Sequence, residues 1–128
     1  CDIAVVNTYY LAMMRNSDQA DQREAARSVA LRWPNQGDRG AHVNISGAGV
    51  AKHAPHPRAA RKLLEFLVND ESQQWYAEVN NEYPVKNGVP VSDTLKKWGE
   101  FQADDLPLIK LGQLNEQAVR VMDRAGWQ

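Results

Sequence analysis

The sequence predicts an α/β protein. Short apolar runs rich in β-branched residues occur at 2–7, 28–33 and 42–46, and each reads as a strand. Segments with a 3.6-residue apolar period lie between and after them, the clearest at 57–68. The connections are long, as in a chain that alternates strands with helices rather than one built of hairpins.

The elements follow in order. Residues 2–7 carry Ile3, Val5 and Val6 and form the first predicted strand. Thr8 is placed as the N-cap of a short helix through Leu11, Ala12, Met13 and Met14. Ser17, Asp18 and Asp21 introduce a polar helix over 19–27, and 28–33 alternates like a strand. Pro34, Gly37 and Gly40 punctuate a loop. Val43 and Ile45 share one face of a third strand, and Gly47 and Gly49 suggest a close backbone approach after it. Pro57 suits the first position of a helix whose stripe is Ala60, Leu63, Leu64, Leu67 and Val68. Asp70, with Gln73 three residues on, has the spacing of a capping box for the next helix, whose apolar face carries Trp75, Tyr76 and Val79. Pro84 holds Tyr83 in extended backbone. Asp93 starts a brief helix, and a final helix runs from about Gln113 to Ala125, with Glu116 paired to Arg120 and Gly126 as its stop.

Bulk composition narrows the functional classes. With 128 residues, 43% hydrophobic and 24% charged, the chain is an ordinary folded composition. Its net charge is -1 with both signs mixed, and no basic stripe is visible, so nucleic acid is not an expected partner. No apolar run reaches the roughly 18 residues that a membrane span needs. Cys1 is the single cysteine, so no internal disulfide can form. Cys1-Asp2 reads either as the lipid-bearing start of a mature lipoprotein or as a start inside something larger, and the immediate Ile3–Val6 strand favours the second.

The chemistry-bearing feature is Tyr9-Tyr10, at the exit of the first strand. Phenolate oxygen is a hard anionic donor and selects hard cations. Neighbours in an extended strand point to opposite faces, so both phenols converge only where the backbone turns, as it does at Thr8. A free phenol titrates near pH 10, so a bound cation must displace its proton. The blander reading makes the pair half-buried aromatics at a helix start. Tyr76, in a helical stripe, and Tyr83, before a proline, read as structural.

Taken in order, the motifs show a resemblance. They are strand-Asn7-Thr8-Tyr9-Tyr10, the run His42-Val43-Asn44-Ile45-Ser46-Gly47-Ala48-Gly49-Val50, the helix ending Phe66-Leu67-Val68-Asn69-Asp70-Glu71, and Glu82-Tyr83-Pro84-Val85. The series resembles the ferric-iron substrate-binding proteins of bacterial ABC transporters, the periplasmic "bacterial transferrins". The resemblance implies part of a type II periplasmic binding protein fold, two α/β lobes joined by crossover strands. This chain would be the C-terminal part, with 1–40 and 89–128 in the second lobe and 41–88 passing through the first. It further implies Tyr9 and Tyr10 as iron(III) ligands, Asn7 as a contact for a synergistic anion such as carbonate or phosphate, and a periplasmic location. The implied partners are an inner-membrane ABC permease and the N-terminal part of the same protein, which would supply further ligands. A segment crossing between lobes leaves apolar faces that invite association or domain swapping. The same fold around another solute (phosphate, sulfate, a polyamine or a phosphorylated compound) is the alternative, with Asn7 and Thr8 doing the binding.

No enzyme signature accompanies the tyrosines. Ser46-Gly47-Ala48-Gly49 is not a nucleophile elbow. His53 and His56 lack the helical spacing of a metal pair and read as a solvated loop, and His42 reads as a surface residue. Met13 and Met14 are soft donors, unsuited to iron(III), and read as core packing.

Overall fold

A computed structural model describes residues 2–127, so Cys1 lies outside the described residues. Six helices follow one another: α1 Thr8–Arg15, α2 Ala20–Ser28, α3 Pro57–Leu67, α4 Asp70–Val79, α5 Asp93–Lys97 and α6 Leu108–Ala125. Among the described residues no helix is long and apolar enough to cross a membrane. The chain divides into two compact units: residues 2–32 with 44–100, and residues 33–43 with 101–127.

In the first unit α1 lies against α2. The contact is made by small side chains, with Ala12 and Ala26 both fully buried. Two bonds close the turn between the helices. The Arg23 guanidinium donates to the Ser17 carbonyl at 2.7 Å, and the Gln19 amide donates to Ser17 Oγ at 3.1 Å. The N-cap of α1 is Asn7, in extended backbone, and Thr8 is already helical. The expected cap is therefore displaced by one residue, and Asn7 makes no side-chain capping bond.

The α3–α4 pair shows the same kind of shift. Pro57 does occupy the first turn of α3. The cap of α4 is Asn69, whose side chain accepts from the Ser72 amide at 2.8 Å, so Asp70 falls inside the helix, where its charge suits the dipole. Gln73 closes no capping box. It is buried, donates to the Leu67 carbonyl at 2.8 Å and accepts from the Val85 amide at 2.9 Å. One side chain thus ties the end of α3 to the Glu82–Val85 segment. Replacing it strands two part-buried backbone groups, each costing about 1–3 kcal/mol. Gln73→Leu is expected to destabilise the first unit by about 2–3 kcal/mol in urea unfolding. Gln74→Leu, which loses only an exposed bond to Glu78, is expected to stay within about 0.5 kcal/mol. Further along, Asn81 is buried at φ 54° and receives a hydrogen bond from Ser92 Oγ, and Ser92 caps α5 over the fully buried Leu95.

The second unit is a clasp between two distant stretches of chain. Trp33 stacks on Phe101, with centroids 4.0 Å apart and planes 15° from parallel. The Gln36 side chain donates to the Gln102 carbonyl and accepts from the Gln102 amide at 2.7 Å, while the Gln102 side chain donates to the Asp38 carbonyl. Ala41 and Ala103 form a parallel bridge, and Arg39 pairs with Asp104 at 3.5 Å. α6 begins after Pro107, five residues earlier than expected, with Gly112 in its interior. It ends as predicted at left-handed Gly126, where the Trp127 amide reaches back to the Met122 carbonyl at 3.0 Å.

The three strand predictions need correction at the level of this structure. Among the described residues, 2–7, 28–33 and 42–46 carry no ladder, and Ala41–Ala103 is an isolated bridge. A strand exists only with a partner, and none of these runs pairs with another described segment. Ile3 and Val5 stand 85% and 78% exposed, which marks the run as sheet-forming in composition yet unpaired here. No close approach accompanies Gly47 or Gly49, where an added Cβ would meet open space.

Candidate metal centre

Tyr9 and Tyr10 occupy the first turn of α1, just after the extended backbone at Asn7. Successive helical residues diverge by about 100° around the axis, which is less than the opposition in a strand. The two rings meet, with centroids 4.2 Å apart and a tilt of 40°. Tyr9 is half-buried and Tyr10 is 51% exposed, so neither ring is lost in the interior. The turn that the sequence required is present. It is the helix start itself.

Electrostatics follow from the contact. The hydrogen bond with Tyr9, and then the like charge the pair would share, push the Tyr10 phenol above its ordinary value of 10.0. Tyr10 therefore holds its proton at neutral pH until something displaces it. A cation bridging the two oxygens reverses the sign of the effect, because two adjacent phenolates repel each other and attract the same metal. Asn7 sits beside the pair with its amide unused for capping, at the amino end of α1, where an anion is favoured.

Two oxygens do not complete a coordination sphere. Among the described residues no three His, Cys, Asp or Glu side chains gather to hold a metal. His53 and His56 are exposed in the loop before α3, and His42 is exposed as well. Tyr76 is half-buried on α4, edge-on to Trp75 at 5.4 Å. Tyr83 is half-buried, and desolvation raises its phenol above the usual range. Both are placed as structural residues.

The profile of the bacterial extracellular solute-binding proteins matches residues 6–103. The chain belongs to this family. Among its relatives, iron uptake protein A2 of Synechocystis is 44% identical over 130 residues, covering 99% of this chain and 37% of that protein. The major ferric iron-binding protein of Neisseria meningitidis is 29% identical over 98% of this chain. A Trichodesmium protein (IdiA, FutA), solved with iron and citrate, superposes with a TM-score of 0.90 at 46% identity, over 96% of this chain and 39% of that one. The family member's fold is therefore part of the type II periplasmic binding protein architecture. The chain spans well under half the length of the relatives it matches.

Proposed function

We propose that this family member is part of a periplasmic iron(III)-binding protein, and that Tyr9 and Tyr10 are its phenolate ligands. The observation that carries the reading is the ring contact at the start of α1, in a chain 44% identical to an iron uptake protein. The first and last stretches, 1–40 and 89–128, belong to one lobe of the intact protein and 41–88 to the other. The unpaired runs at 2–7, 28–33 and 42–46 find their sheet partners in the rest of that protein. The remaining ligands come from there too, and an anion held near Asn7 fills the sphere. Carbonate and phosphate satisfy the charge requirement, and citrate is the ligand found with iron in the Trichodesmium relative. Closure of the lobes traps the metal by hinge motion, and an inner-membrane ABC permease receives it.

Proton release tests this reading. Each phenol that coordinates gives up one proton, so iron uptake by the intact protein is expected to release about two phenolic protons per iron. Affinity then rises by up to about two decades per pH unit while the phenols are protonated, and binding is lost as pH falls. The raised Tyr10 phenol extends that dependence upward in pH. Titration with ferric citrate, followed by the phenolate-to-iron charge-transfer band and by a pH-stat, reads both quantities. Iron binding with neither the band nor the protons would reject the phenolate site.

A further inference from the structure

We infer that Arg23 is a positioning residue of the tyrosine pair: by holding the turn between α1 and α2, it sets the direction in which α1 presents Tyr9 and Tyr10. The inference rests on the iron(III) reading proposed above. Both tyrosines lie in the first turn of α1, a helix of only 8 residues. On the same reading the run 2–7 is a strand of the intact protein, and it fixes the point from which α1 leaves. A direction needs a second fixed point, and the far end of α1 has one. Asn16 caps that end, and Ser17 is the next residue. The Arg23 guanidinium reaches back six residues and donates to the Ser17 carbonyl at 2.7 Å, in a part-buried setting. This is a charge-assisted bond from a planar, rigid donor.

The packing between the helices leaves this bond a job to do. α1 lies against α2, and the fully buried residues there, Ala12 and Ala26, carry only methyl groups. Such side chains make low ridges, which let the backbones approach but interlock weakly and so define a crossing angle poorly. Arg23 supplies the missing constraint. The Gln19 amide donates to Ser17 Oγ at 3.1 Å, and the Arg23 amide donates to the Gln19 carbonyl at 3.2 Å, so the turn and the start of α2 are one connected unit. The consequence at the metal is geometric. A phenol oxygen stands about 5 Å or more from the helix axis, so a tilt of about 10° carries it by about 1 Å, whereas a ligand set must be held to about 0.5 Å. Both oxygens move together, so the ring contact survives and the mismatch falls on the ligands supplied by the rest of the protein. Loss of the bond spoils the site without unfolding it, because Ser17 is only half-buried and water can take up its carbonyl.

The test uses the intact protein and ferric citrate. Arg23→Ala is expected to weaken iron binding by about 10–100-fold, the range for groups that orient a metal ligand, and to shift the charge-transfer band. Arg23→Lys keeps a donor for Ser17 and is expected to restore the band position and all but about threefold of the affinity. Ala26→Val wedges the helices apart with the bond in place and is expected to shift the band as Arg23→Ala does. Gln73→Leu is the matched control, destabilising the same unit away from α1. It is expected to leave the band position unchanged and the affinity within about twofold. In metal-free samples, residual dipolar couplings of the backbone amides read the direction of α1 against α2, which should change in Arg23→Ala. An unchanged band and affinity in Arg23→Ala overturn the inference. So does an equal shift in Gln73→Leu, which would make the effect one of stability alone. A wild type with no band, whose α1 still turns in Arg23→Ala, refutes the iron reading and leaves Arg23 as the residue that orients the pair.

Discussion

Tyr9→Phe combined with Tyr10→Phe is expected to abolish the iron charge-transfer band of the intact protein and to weaken iron(III) binding by at least about four decades. The size follows from comparison. Partners that only orient a metal ligand are worth about 10–100-fold in affinity, so each ligand oxygen itself carries at least the upper end of that range. Either single phenylalanine leaves one phenolate, hence a weaker and shifted band and a loss of at least about a hundredfold. The variants should fold. Phenylalanine keeps the ring contact of 4.2 Å and removes only hydroxyls, one of them on a half-exposed residue. The accompanying stability change should stay within about 0.5 kcal/mol by thermal unfolding without metal. Tyr76→Phe and Tyr83→Phe serve as controls, and both should retain the full band. Retention of the band by the double variant would remove the metal assignment altogether.

The helices were legible because their signals are local. The Ala60–Leu67 stripe, Pro57 at the start of α3 and Gly126 at the end of α6 each act within a turn of the backbone they shape. Caps were legible to within one residue. Asn69 and Asp70 are both good caps, as are Asn7 and Thr8, and sequence does not say which of two neighbours stays extended. The start of α6 was hidden by Gly112, whose helix cost of about 1 kcal/mol is met once Pro107 sets the first turn. Gln73 was misread because its real partners, Leu67 and Val85, are fixed by how α3 and the later segment meet, not by spacing. Strands were the least legible. Ile3-Ala4-Val5-Val6 has the composition of a strand, but pairing is a property of two segments. Tyr9 and Tyr10 could be singled out from sequence because they are adjacent at a backbone turn, whereas the contact between their rings needed the structure.

Gly40→Ala is expected to open the clasp of the second unit at a cost of about 3–5 kcal/mol. Two penalties add. Gly40 sits at φ +97°, outside the range that residues with a Cβ adopt cheaply, which costs about 1–3 kcal/mol. A Cβ there would also lie 2.7 Å from the carbonyl carbon and oxygen of Ala103 and from the carbonyl oxygen of Gln102. These are backbone atoms, so no rotamer change relieves the overlap. They also flank the isolated bridge, where Gln102 O accepts from the Ala41 amide and Ala41 O from the Asp104 amide, both at 2.8 Å. Moving Ala103 away therefore breaks the bonds that join the two stretches, and the Trp33–Phe101 stack and the Arg39–Asp104 pair lose their register with them. Gly88→Ala separates the two penalties. Gly88 has φ +85° but open space around the added Cβ, so that variant should cost only the conformational part, about 1–3 kcal/mol. Hydrogen exchange at the Ala41 and Asp104 amides reads the clasp directly, and Gly40→Ala should speed it by two to three decades (about 3–4 kcal/mol of lost protection) while Gly88→Ala leaves it unchanged. Equal exchange in the two variants would mean that the close approach at Gly40 does not hold the segments together.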